Sequence, residues 1–159
     1  MCLIVDANVA ALVFPAVSGS AFEPIWKALT QKRAIAVYGG KLASEYFKIN
    51  KIFRFLAELN RQGTLRKFSA QLVSAETNRF ASLTIQSDDP HILGLASVSN
   101  ARLLCSNDQA LHADFTDPNL ISPRGSVYQN RSHSSLISKH CTQQNHRSPK
   151  KRKLRKRKH

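Results

Sequence analysis

Asp6, Glu45, Asp89 and Asp108 are four of only ten acidic residues in a chain of 159 whose formal net charge is +14. Their local settings differ. Asp6 closes the apolar run in CLIVDAN, Glu45 lies in KLASEYF, Asp89 opens DPHILGLA and Asp108 follows LLCSN. Each has an ordinary structural explanation: a strand end for Asp6, an ion pair with a nearby Lys for Glu45, and helix caps for Asp89, ahead of Pro90, and Asp108. Together they ask more. Two unit charges about 4 Å apart repel by roughly 4 kcal/mol at an effective dielectric of about 20, a heavy burden for a domain stable by ~5–15 kcal/mol. Proton uptake, basic partners or a hard divalent cation would relieve it. Oxygen-only donors without a His/Cys cluster suit Mg²⁺ or Mn²⁺ and disfavour zinc, and such an ion can activate water and hold a phosphodiester oxygen.

The elements that must bring these side chains together follow from hydrophobic patterning. CLIV reads as a buried strand, VAALVF as a short helix or turn, FEPIWKALTQKR as a helix, and AIAVYGG as a second strand ended by two glycines. One long amphipathic helix is predicted from Lys41 to about Asn60. On it Glu45 shares a stripe with apolar Leu42, Ile49, Ile52, Leu56 and Leu59, and so must face the body. Helices are predicted over about 70–83 and 89–98, then a strand RLLCSN, a short helix DQALHADF and a last strand NLISP. Strands alternating with helices argue for a parallel sheet covered on both faces, with the ligand site beyond the carboxyl ends of the strands. Asp6 and Asp108 fall at that edge. Asp89 shares a face with Ile92, Leu93 and Ala96, whereas His91 on the same spacing is expected to point away from the acids.

Asp6 with Asn8 after the first strand, Glu45 on a following helix, Asp89 in DPHILGLA and Asp108 in LLCSND together resemble the PIN-domain nucleases. That family includes the toxin ribonucleases of bacterial toxin–antitoxin pairs. The match covers residues 1–123, and it extends to the D-x-x-I-x-x-x-A helix (Asp89, Ile92, Ala96) and to Ser106, two before Asp108. The resemblance implies a three-layer α/β/α sandwich around a central parallel sheet, with one or two Mg²⁺ or Mn²⁺ ions held by Asp6, Glu45, Asp89 and Asp108. It implies endonucleolytic hydrolysis of RNA, with single-stranded DNA as the alternative substrate, and Asn8 and Ser106 as supporting residues. Asp88 is a competitor for the role of Asp89. An antitoxin protein and a second copy of the chain are the partners the family suggests, and the apolar residues among 9–17 and 46–56 suit either core or interface. Asp114 and Asp117 read as loop acids. A phosphoryl-receiving domain would need an acidic pair at the first strand, and a haloacid-type phosphatase would need Asp rather than Asn8. A non-catalytic nucleic-acid- or partner-binding module is the competing function.

The charge is uneven. From Ser126 onward there are 11 Lys and Arg and no acid, leaving the body at only +3. Residues 124–159 are therefore expected to form a basic, disordered tail: a solvated extension, a nuclear-localisation-like run, or an arm drawn to phosphates. His133, His140, Cys141 and His146 fit no standard zinc spacing. Cys2, Cys105 and Cys141 lack CxxC spacing, and free thiols in a cytoplasmic protein are the simplest expectation. The opening segment has no basic n-region and carries Asp6 within its apolar run, which argues against a signal peptide. No apolar run reaches the ~18–20 residues of a membrane span.

Overall fold

The computed structural model describes residues 1–141. Five parallel strands form one sheet: β1 (Leu3–Val5), β2 (Ala36–Gly39), β3 (Leu65–Phe68), β4 (Leu103–Cys105) and β5 (Ser126–Tyr128), in the order β3-β2-β1-β4-β5. The helices are α1 (Ala7–Val13), α2 (Glu23–Thr30), α3 (Lys41–Phe47), α4 (Phe53–Gln62), α5 (Ala70–Ala81), α6 (Pro90–Ser99), α7 (Gln109–Phe115) and α8 (Ser135–His140). With right-handed crossovers, the connections from β1 to β2 to β3 cover one face and those from β3 through β4 to β5 the other. The result is a three-layer α/β/α sandwich. Strand order reverses between β1 and β4, and this switch point is where an open parallel sheet leaves a crevice at its carboxyl edge. Leu3, Ile4, Val5, Leu103, Leu104 and Cys105 have no exposed surface, as expected for central strands covered on both sides.

Three departures from the sequence expectations have physical causes. The helix predicted over 41–60 is broken: α3 stops at Phe47, a 3₁₀ turn spans Asn50–Ile52, and α4 starts afresh. On one continuous helix Tyr46 and Ile52 would lie about 120° apart, whereas the break buries both, at 2% and 0% exposure. Strand β3 carries exposed Arg66 and Lys67, charges that hide it from a hydrophobic pattern and protect a sheet edge from further pairing. The last strand is SVY, not NLISP. Residues 119–123 instead form a turn in which the Asn119 amide donates to Asp117 (2.9 Å) and the Arg102 guanidinium donates to the Ser122 (3.0 Å) and Pro123 (2.8 Å) carbonyls.

The folded chain consequently runs past the expected boundary at 123. Residues 126–128 pair with β4, Tyr128 is fully buried and donates to the Ala21 carbonyl at 2.7 Å, and α8 packs against β4. The tail reading of 124–141 is thus corrected; for 142–159 it lies outside the described residues, as does His146. The free-thiol expectation also fails for two of the three cysteines. α8 delivers Cys141 to the start of β1, where a disulfide joins it to Cys2 with the Cα atoms 5.3 Å apart. Cys105 is a buried free thiol whose pKa burial raises far above the usual range. No helix among the described residues is long and apolar enough to cross a membrane.

Candidate functional site

β1 ends at Val5 because its next residue, Asp6, turns into α1 as the N-cap. The Asp6 carboxylate is 6% exposed and accepts a hydrogen bond of 2.8 Å from the Ser106 hydroxyl, which follows β4 across the switch point. Ser106 Oγ also accepts from the Asp108 amide (3.1 Å) and from Asn8 Nδ2 (3.4 Å). Asn8 Oδ1 in turn accepts from the Asn107 amide at 3.4 Å. One hydroxyl thus ties the end of β1 to the turn after β4. Asp108 caps α7, its Oδ1 accepting from the Ala110 (3.0 Å) and Leu111 (3.2 Å) amides, a role that fixes its rotamer.

A second residue, His91, stands between the other two acids. β2 runs into α3 through Gly39 and Gly40. Gly40 has φ +58, and a side chain there would meet Val73 Cγ1 at 2.8 Å, so the turn that places Glu45 needs glycine. Glu45 Oε1 lies 3.0 Å from His91 Nε2, and His91 Nδ1 lies 3.9 Å from Asp89 Oδ1. His91 is 2% exposed and its Nδ1 has no hydrogen-bond partner among the described residues. The expectation that His91 points away from the acids is therefore wrong. α6 is buried on most of its circumference, from His91 through Ala96, so a single apolar stripe does not define which way its first turn faces. Close packing of α6 on α5 holds this orientation, since a side chain at Gly94 would strike Thr77 Oγ1 at 2.6 Å.

The loop ahead of Asp89 is anchored by Asp114, which is not the loop acid expected. It sits in α7, is 2% exposed, and accepts hydrogen bonds of 2.9 Å from both the Gln86 and Ser87 amides. The Ser87 hydroxyl then accepts from the Asp89 amide at 3.3 Å. Asp88 is exposed, while Asp89 is turned toward the other acids.

The electrostatics join the two halves. Burial, a hydrogen bond shared with Asp108, and the charges of Asp6, Asp108 and Glu45 push the Asp89 carboxyl up to about 6. Asp6 is raised chiefly by burial with Glu45 adding to it, against the pull of Ser106 and the Ala7 amide. Burial holds the His91 imidazole below its ordinary pKa despite the attraction of Glu45. Tyr46, which donates to the Val5 carbonyl under the site, is raised well above its usual value by burial and by Asp6. Asp89 thus feels the carboxylates of Asp6, Glu45 and Asp108 in a single region at the carboxyl edge. Among the described residues no three acidic, His or Cys side chains already close on one point as metal ligands do; Glu45 is engaged with His91 and Asp108 with its own helix. The zinc alternative has different partners: Cys141 is in the disulfide, His133 accepts from the Gln129 amide and His140 meets Ser126 Oγ.

Comparison with models of protein families gave no match, and neither curated proteins nor solved structures gave one.

Proposed function

We propose that this protein is a metal-dependent endoribonuclease of the PIN type. The observation that carries the reading is that the Asp89 carboxyl feels Asp108, Asp6 and Glu45 together, at the switch point of a parallel sheet where Ser106 ties Asp6 to the turn that carries Asp108 and His91 holds Glu45. The donor chemistry fits Mg²⁺ or Mn²⁺: carboxylate oxygens are the hard ligands these ions take. The carboxyl of Asp89, raised to about 6 by burial first and then by Asp108, Asp6 and Glu45, carries a desolvation and repulsion cost that a divalent cation would relieve. Asp6, Glu45, Asp89 and Asp108 would hold the ion, directly or through water. Bound there, the ion would supply an activated water and neutralise charge at the scissile phosphate.

The chain's own residues prepare that site. Ser106 and Asn8 fix the Asp6 carboxylate, His91 orients Glu45, and Asp114 holds the loop that carries Asp89. The strongly basic composition favours a polyanionic substrate, and single-stranded RNA is the substrate we assign. Its test is incubation of purified protein with mixed RNA and single-stranded DNA in Mn²⁺, Mg²⁺ or EDTA, beside Asp6→Asn. Cleavage of RNA that needs the metal and disappears in the variant supports the reading. Cleavage by Asp6→Asn at the wild-type rate would falsify the carboxylate assignment, and binding without turnover in any metal would leave a non-catalytic binding module. An antitoxin partner and a homodimer are further proposals from the same likeness. They are tested by co-purification with the product of a neighbouring gene and by mass in solution.

A further inference from the structure

An open cleft of about 560 Å³ lies between α7 and β5, walled by Gln109 and His112 on one side and by Arg124, Gln129 and His133 on the other. We propose that it is a nucleotide subsite, holding a nucleotide of single-stranded RNA beside the bond cut at the acid cluster; this rests on the nuclease reading above.

Four observations carry it. The cleft adjoins the site, since Gln109 directly follows Asp108 and His112 lies one turn further along the same helix. The His112 ring nitrogen Nε2 is 2.6 Å from the Ser106 carbonyl, which fixes the cleft wall to the residue that bridges Asp6 and Asp108. Among the described residues the lining contains no acid. Its one cation, Arg124, is exposed and has no ion pair among the described residues, whereas nearby Arg131 is engaged by Glu23 at 2.9 Å and by the Ser20 carbonyl at 3.2 Å. The fourth is the set of donors. His133 Nδ1 accepts from the Gln129 amide at 3.1 Å, which leaves its proton on Nε2 to donate. The size is within the ~300–1,000 Å³ of small-molecule sites. A guanidinium for the phosphate, with imidazoles and side-chain amides for base edges and ribose hydroxyls, is the complement of a nucleotide.

Binding is best read in EDTA, where no cleavage occurs, with a short fluorescent single-stranded RNA and with nucleoside monophosphates and inorganic phosphate followed by backbone amide NMR shifts. The expected result is that Arg124→Ala and His133→Ala each weaken RNA binding about tenfold, the loss of one charge-assisted or specific contact. Arg33→Ala, outside the cleft lining, should change it little. Nucleoside monophosphates should shift Gln109 and Gln129 more than phosphate does. Equal effects of Arg124→Ala and Arg33→Ala would overturn the subsite, as would equal shifts from phosphate alone or tighter binding of the matching DNA. Wild-type RNA cleavage retained in full by Arg124→Ala/His133→Ala sinks the subsite alone. Nucleotide binding in the cleft without cleavage in any metal sinks the nuclease reading and leaves the subsite standing.

Discussion

At the residue scale, the acids are arranged against their own stability, and that gives signed predictions. Burial and its acidic neighbours push the Asp89 carboxyl up to about 6 in the fold against an ordinary 3.8. The folded state therefore holds a proton between these values that the unfolded chain has released, and stability falls as pH rises through that window. Above it the ionised group destabilises the metal-free protein by about 1–2 kcal/mol, after allowance for solvent screening. Asp89→Asn should raise Tm in EDTA at pH 7 by roughly 2–4 °C per kcal/mol, and the gain should shrink as pH drops from 7 to 4. A gain independent of pH, measured by calorimetry across that range, would show that charge is not its cause. His91 makes a different claim. Its imidazole holds Glu45 from a buried position, so His91→Ala should lose activity by about 10- to 100-fold and about 1–3 kcal/mol of stability. His91→Gln, which keeps a donor on that side, should recover part of both. Equal activity in the Ala and Gln variants would remove His91 from the site.

At the element scale, strand and helix alternation was legible because buried parallel strands are nearly continuous apolar runs. CLIV and RLLC announce β1 and β4, and Asp6 and Asp108 could be placed at the carboxyl edge from them. What misled is equally physical. LRKF is an edge strand whose charges face solvent, the break after Phe47 has neither Pro nor Gly to mark it, and SVY is too short to outweigh the more apolar NLISP. The apolar residues among 9–17 and 46–56 divide, with Val9, Val13, Tyr46 and Ile52 buried and Leu12, Val17, Phe47 and Phe53 exposed. His91 and Asp114 were missed because their meaning lies in contacts distant in sequence, to Glu45 and to the Gln86 and Ser87 amides. Asp114 is the test at this scale. Asp114→Asn keeps the shape but loses the charge and one acceptor oxygen, so one amide is left unmet. We expect a loss of about 1–3 kcal/mol and a fall in cleavage from displacement of Asp89. Unchanged urea midpoint and unchanged activity would contradict that role.

At the scale of the whole molecule, the Cys2–Cys141 bond spans 139 positions in sequence and secures the end of the described chain against the central strand. Crosslinks closing long loops restrict the unfolded state, and removing a native one costs about 2–5 kcal/mol. Cys2→Ser/Cys141→Ser, or the wild type in dithiothreitol, should melt several degrees lower, and an unchanged Tm would show the bond to be dispensable. The same scale contains the tension from which the functional reading comes, a basic protein that places its few acids together. The direct measurement is titration of Mn²⁺ into metal-free protein, followed by the loss of the free-ion paramagnetic resonance signal. The account predicts saturable binding that weakens at least about tenfold in Asp6→Asn and Asp89→Asn, as for loss of a ligand contact. No saturable binding by the wild type, or equal binding by both variants, would contradict it.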